Sequence, residues 1–218
     1  MADTRTPLLS RRALVGGALA ALPLARPAAA LAARGPVITI LGDSITAGLG
    51  LPARDALPNQ LHLALEKLGL PNQVRGAGVS GDTTAGGLAR VNFSVRPDSG
   101  VVVVALGGND LLQGIDPKAT RANLDQIIRR LKTRHKAVVL AGISAPAEIG
   151  RGYASEFNAM FPGLARSHGV ALYPDLLAGV ERNPALNQGD GIHPNARGVQ
   201  IIAARLAPVV AKAARRAA

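Results

Sequence analysis

Short apolar runs alternate with longer amphipathic ones along this chain. Val37 to Leu41 is the first run, and Val74 to Val79 is a weaker, glycine-rich second. Val101-Val102-Val103-Val104-Ala105-Leu106 is continuous and largely β-branched, the pattern of a strand buried on both faces. Ala137 to Ile143 is a fourth run and Val170 to Tyr173 a short fifth. Between them, Leu57 to Leu68 sets Leu57, Leu61, Leu65 and Leu68 on one helical face, with Gly69 and Pro71 as stop signals. Thr84 to about Val95 predicts a weaker helix. Thr120 to Lys132 carries Leu124, Ile127, Ile128 and Leu131 on one stripe, and Ser155 to Ser167 predicts a helix that Pro162 disturbs. Pro194 to Arg216 predicts the last helix, with its proline near the first turn, where a missing N–H costs least.

Strand and helix therefore alternate about five times, which specifies an α/β fold with a parallel sheet covered by helices on both faces. The 218 residues, 48% of them hydrophobic, suffice for one domain with a substantial core. With no Trp, two Tyr and three Phe, that core is expected to consist of Ala, Val, Leu and Ile. No internal repeat or linker divides the chain.

The first 32 residues read as an export address rather than as fold. Ser10-Arg11-Arg12-Ala13-Leu14-Val15 opens an uncharged stretch of thirteen residues ending at Ala25, too short to span a bilayer comfortably. Small residues of A-x-A type follow at Ala28-Ala29-Ala30 and Ala30-Leu31-Ala32. This is the layout of a signal peptide, and SRRALV is similar to a twin-arginine export signal. The expected product is a periplasmic or secreted domain over residues 33–218, without stable membrane insertion of its own.

Charge and cysteine content remove several function classes. The formal charge is +11, but the basic residues are scattered: after residue 12 only Arg129-Arg130 and Arg215-Arg216 are adjacent pairs. No basic run with interleaved aromatics exists for stacking bases, so nucleic acid is not an expected partner. The absence of cysteine excludes disulfides, thiolate metal sites and cysteine nucleophiles. The histidines share no ligand spacing, so no metal is expected.

In open parallel sheets, sites form at the carboxyl ends of strands. Three glycine-rich segments fall there: Gly42-Asp43-Ser44, Gly78-Val79-Ser80-Gly81-Asp82-Thr83 and Gly107-Gly108-Asn109-Asp110. A fourth, Asp190-Gly191-Ile192-His193-Pro194, precedes the last helix. Ser44 is then a turn residue, part of a phosphate cradle, or a nucleophile. The cradle fails, because the segment has neither the Gly-Lys-Ser/Thr ending of a P-loop nor G-x-G-x-x-G, and it is not a G-x-S-x-G elbow. As a nucleophile, Ser44 needs a base, for which His193 is suited. It also needs an acid to orient that base. Asp190, three residues earlier, can reach back through the bend that Gly191 permits. The Ser44 and Gly81 N–H groups and the Asn109 amide are the candidate oxyanion donors. Asp43 and Asp110 are expected to hold the strand-end loops through backbone N–H groups rather than to join the chemistry. His62, His135 and His168 have no partners that make a site.

Together these four segments resemble, in order, the blocks of the SGNH (GDSL-type) hydrolases. SGDTTAGGLAR (80–90), ALGGNDLL (105–112) and NQGDGIHPNARG (187–198) look like the branch of arylesterases and multifunctional thioesterase/protease/lysophospholipase I enzymes. The resemblance implies a flavodoxin-like three-layer α/β/α sandwich with five parallel strands. It also implies a Ser44–His193–Asp190 triad, an oxyanion hole from Ser44, Gly81 and Asn109, no metal or organic cofactor, and a small-molecule acyl ester as substrate. The expected activity is that of a serine esterase, on aryl esters and also on thioesters or lysophospholipids. A carbohydrate or peptidoglycan O-deacetylase is the alternative, and a non-catalytic glycan- or lipid-binding protein a more distant one. The sequence departs from the branch at PAEIGRGY (146–153), where Ala147-Glu148-Ile149 replace the more usual asparagine and apolar residue before Gly150. Chain-length preference therefore does not carry over, and oligomeric state is left open.

Overall fold

The computed structural model describes residues 1–2 and 35–217. The signal segment expected over residues 1–32 lies, after its first two residues, outside the described part. Five parallel strands form one sheet: β1 (Val37–Gly42), β2 (Gln73–Gly78), β3 (Val101–Ala105), β4 (Ala137–Ala141) and β5 (Ala171–Tyr173), in the order β2-β1-β3-β4-β5. This is the flavodoxin-like strand order, whose direction of winding reverses between β1 and β3. Register sets Ile40 of β1 between Gly76 of β2 and Val103 of β3.

Seven α-helices are described: α1 (Ser44–Ala47), α2 (Leu57–Lys67), α3 (Thr84–Ser94), α4 (Gly108–Leu112), α5 (Pro117–Thr133), α6 (Arg151–His168) and α7 (Ala196–Ala217). Helices α2 and α7 pack together on one face, and α3, α5 and α6 cover the other, which makes three layers. The central strand β3 is buried along its whole length, as its β-branched run requires. Each such Val or Ile contributes about 1.5–3 kcal/mol of burial.

The core is not purely aliphatic. Phe157 and Phe161 of α6 are its largest fully buried side chains and pack edge to face, with ring centroids 5.7 Å apart. Two helices start a turn before their expected positions. At α5, Asp116 caps the Lys118 N–H at 2.8 Å and Pro117 occupies the first turn. At α6, the helix starts at Arg151 and runs through Pro162. The last helix starts later than expected. Pro194 lies outside it, bridged antiparallel to Asn187, and the Asn195 carboxamide caps the N–H groups of Arg197 and Gly198 instead. Helices α1 and α4 leave no periodicity in the sequence because each is a single turn, and both stand at strand ends where the site forms.

Candidate active site

The carboxyl ends of β1, β2 and β3 open onto a pocket of about 360 Å³, at the point where the winding of the sheet reverses. Ser44, Gly81, Asn109 and His193 all line it. Ser44 is the first residue of α1, directly after β1. The Asp43 side chain caps that helix by accepting from the Ile45 N–H at 3.1 Å. The Ser44 side chain, 7% exposed, points to the loop before α7, where its Oγ lies 2.9 Å from His193 Nε2. On the other side of the imidazole, His193 Nδ1 lies 2.5 Å from Asp190 Oδ2.

The second oxygen of Asp190 builds the turn itself. Oδ1 accepts the N–H groups of Ile192 at 2.9 Å and His193 at 3.0 Å, and Gly191 supplies the left-handed φ of +70°. The three bonds hold the Asp190 carboxyl low, at about 2, with the His193 backbone N–H as the largest influence. An ionised Asp190 accepts from Nδ1–H, so Nε2 carries the lone pair and Ser44 Oγ–H donates to it. One polarised line thus runs from the hydroxyl to the carboxylate.

Gln188 fixes this loop against the nucleophile's side of the pocket. Its Nε2 donates to the Leu49 carbonyl at 2.8 Å and to the Pro194 carbonyl at 3.0 Å, while its N–H donates to the His193 carbonyl at 2.8 Å. The sequence reading missed this residue. A glutamine in a loop reads as solvated, and Leu49 is 139 positions away.

The three expected oxyanion donors come together at the same pocket. Among the described residues, neither the Ser44 nor the Gly81 N–H donates to a protein acceptor, so both remain available to a ligand. Gly81 has φ +80°, and a Cβ there would meet nothing within 4 Å. Glycine is required by the backbone conformation that orients its N–H, not by crowding. The Asn109 amide donates one hydrogen to the Asp82 carbonyl at 3.0 Å and keeps a second.

Arg90 of α3 ties these loops together. It pairs with Asp82 at 2.7 Å and donates to the Ala77 carbonyl at the end of β2 and the Gly42 carbonyl at the end of β1, each at 2.8 Å. Sequence reasoning missed it, since one arginine on an amphipathic helix reads as surface.

The remaining expectations sort cleanly. Asp110 is fully buried and accepts from the Thr84 N–H at 2.8 Å, Thr84 Oγ1 at 2.5 Å and Thr120 Oγ1 at 3.1 Å, as a loop anchor. Asp43 is buried too, and desolvation pushes its carboxyl up to about 6. His62 bonds to Asn72 Oδ1 at 3.0 Å, and His168 to Asp125 Oδ1 at 2.7 Å, both away from the pocket. In the loop over residues 146–153, Pro146 lines the pocket, and Glu148 faces outward toward Arg182 at 3.6 Å. A larger cleft of about 600 Å³ lies by the starts of β4 and β5, but among the described residues neither serine, histidine nor carboxylate lines it.

The sequence matches the GDSL-like Lipase/Acylhydrolase family over residues 40–201. It is 35% identical over 185 residues to "Esterase TesA" of Pseudomonas aeruginosa, covering 84% of this chain and 90% of that one. It is 38% identical over 165 residues to "Thioesterase 1/protease 1/lysophospholipase L1" of Escherichia coli, covering 75% and 78%. The fold is similar to the crystal structure of AlinE4, an SGNH-hydrolase family esterase, with TM-score 0.69 and 41% identity over 82% of this chain and 96% of that one.

Proposed function

We infer the chemistry of this site from the premise that the chain belongs to the GDSL-like lipase/acylhydrolase family and is an ester-hydrolysing enzyme. Its substrates are acyl esters of small to medium size, aryl esters among them, with thioesters and lysophospholipids as further substrates. The names of the relatives favour this over the O-deacetylase alternative. The observation that carries the catalytic assignment is the Ser44–His193–Asp190 chain of contacts, at 2.9 and 2.5 Å, opening on a pocket with free N–H donors.

In this reading His193 Nε2 takes the proton of Ser44 Oγ as the oxygen attacks the substrate carbonyl. Asp190 stays ionised and stabilises the imidazolium. The carbonyl π electrons move onto oxygen, which receives the Ser44 N–H, the Gly81 N–H and the second Asn109 amide hydrogen. Collapse of this intermediate breaks the bond to the alcohol, which leaves with the proton from Nε2. A water then repeats the sequence on the acyl-enzyme, releases the acid and restores Ser44. The pocket's apolar wall, which includes Ile45, Leu111, Ile143 and Leu177, suits the acyl chain.

Ser44→Ala tests the assignment. Hydrolysis of a p-nitrophenyl ester should fall by roughly 10⁶-fold with the circular dichroism spectrum unchanged. A folded variant with retained activity overturns it.

The domain is further proposed to act outside the cytoplasm, in the periplasm or secreted, after removal of the amino-terminal signal segment. The motivation is the charged, apolar and small-residue layout of residues 1–32. Amino-terminal sequencing of the exported protein should begin near residue 33; a cytoplasmic, uncleaved chain rules this out.

A further inference from the structure

Resting on the esterase reading above, we propose that Glu181 selects substrates by charge. It makes the enzyme favour esters that carry a cationic group over similar esters that carry an anionic one. The starting observation is a mismatch between chain and pocket. Lys and Arg outnumber Asp and Glu by 25 to 14 over the whole chain, yet among the described residues no Lys or Arg lines the pocket that holds Ser44. Two carboxylates beyond the triad do line it, those of Asp43 and Glu181.

These two acids differ in availability. Asp43 is 6% exposed and is spent on capping α1. Glu181 is exposed and, among the described residues, has neither an ion-pair partner nor a hydrogen bond to its side chain. The neighbouring cation forms its ion pair elsewhere, with Arg182 turned to Glu148 on the outer loop at 3.6 Å, and acts on Glu181 only through its field. The local backbone explains the aim of the side chain. The Glu181 N–H donates to the Leu177 carbonyl at 3.0 Å, closing one helical turn. Residues four apart on such a turn share a face, so Leu177 and Glu181 reach the pocket together as an apolar contact and a charge beside it. Burial and the Asp175 carboxylate raise the pKa of Glu181, against the smaller opposing pull of the Arg182 charge.

A substrate cation entering this pocket meets one unpaired carboxylate and, among the described residues, no lysine or arginine that competes for it. A carboxylate, sulfonate or phosphate held away from the oxyanion donors meets like charge from Glu181. For solvent-touched unit charges a few ångströms apart, the resulting preference is about threefold to tenfold.

The test uses acetate esters of three phenols bearing a trimethylammonium, a nitro or a sulfonate group, assayed at about pH 8 and low salt. A second pair of p-nitrophenyl esters carries the charge on the acyl side, as a betaine ester and a hemisuccinate. Wild type, Glu181→Gln and Glu181→Lys are compared by the ratio of kcat/KM for cationic over anionic ester. Intrinsic reactivity and any general loss of activity cancel when that ratio is compared between enzymes. Glu181→Gln should lower the ratio about threefold to tenfold in at least one pair, and Glu181→Lys should lower it further. The differences should shrink near 1 M salt, where the screening length is about 3 Å. A ratio equal within about twofold across the three enzymes, in both pairs, overturns the proposal. The neutral nitrophenyl ester separates the two failures: if wild type does not hydrolyse it, the esterase reading itself is wrong.

Discussion

The side-chain amide of Asn109 donates to the backbone carbonyl of Asp82 over 3.0 Å, joining the loop after β3 to the loop after β2. Gly81 immediately precedes Asp82, so this bond fixes the two proposed oxyanion donors outside α1 relative to each other. Asn109→Ala removes one donor and releases the loop that carries the other. We expect kcat for an aryl ester to fall by about 10²–10³, with a smaller change in KM. Asn109→Asp retains the shape but offers no N–H and should fall at least as far. Steady-state kinetics of the two variants check this, and a loss confined to KM contradicts it.

Arg90 supports the same loop from behind. Its guanidinium pairs with Asp82 at 2.7 Å while donating to the carbonyls of Gly42 and Ala77, and both side chains of the pair are largely buried. A lysine has one point of charge and cannot reach three acceptors in that fork. Arg90→Lys and Arg90→Ala should each cost about 3 kcal/mol in urea unfolding. They should also lower kcat, because the loop carrying Gly81 loses its anchor. Unchanged stability would show that these contacts carry no weight.

Asp190→Asn separates the two tasks of that side chain. The asparagine Oδ1 can still accept from the Ile192 and His193 N–H groups, so the turn persists. Its Nδ2 then presents a donor to His193 Nδ1, which selects the tautomer with hydrogen on Nε2. That nitrogen cannot accept from Ser44 Oγ. The expected outcome is a loss of about 10⁴ in kcat in a folded protein whose stability at neutral pH falls by the part the Asp190 charge contributes. In the wild type, the depressed Asp190 carboxyl contributes stability that is complete above its ordinary value of 3.8 and is lost as pH falls from there toward about 2. The variant should lack that loss, which unfolding curves over the acid range would reveal.

Asp43 gives the opposite pH dependence. Its carboxyl lies at about 6 in the fold against 3.8 ordinarily, so between those values the native state holds a proton that the unfolded chain has released. Stability therefore falls as pH rises through this window and is level above it, by up to about 3 kcal/mol from this group. Asp43→Asn keeps an acceptor for the Ile45 N–H and removes the charge. It should flatten the dependence between about pH 4 and 6 and unfold at equal or higher urea at neutral pH. A variant less stable at neutral pH would show that the charge itself is needed there.

Much of this protein is determined locally. Apolar runs at Val37 and Val101, and heptad-like stripes at Leu57 and Leu124, fix which segments are strands and helices and which faces turn inward, because burial leaves a period in the sequence. The four polar blocks at strand ends likewise point to Ser44, Gly81, Asn109, Asp190 and His193, since few structural roles demand glycine, serine, histidine and acid together. The proline at position 194 misled the placement of the last helix, because Asn195, a stronger cap, stands one residue on. What only the tertiary structure decides is who meets whom. Ser44 and His193 are 149 positions apart, Gln188 and Leu49 are 139, and Arg90 and Gly42 are 48. No period or propensity encodes such pairings. They follow from the strand order β2-β1-β3-β4-β5, which brings the ends of β1, β2 and β3 side by side. That no lysine or arginine among the described residues lines the pocket, in a chain rich in both, is visible only once those ends are assembled.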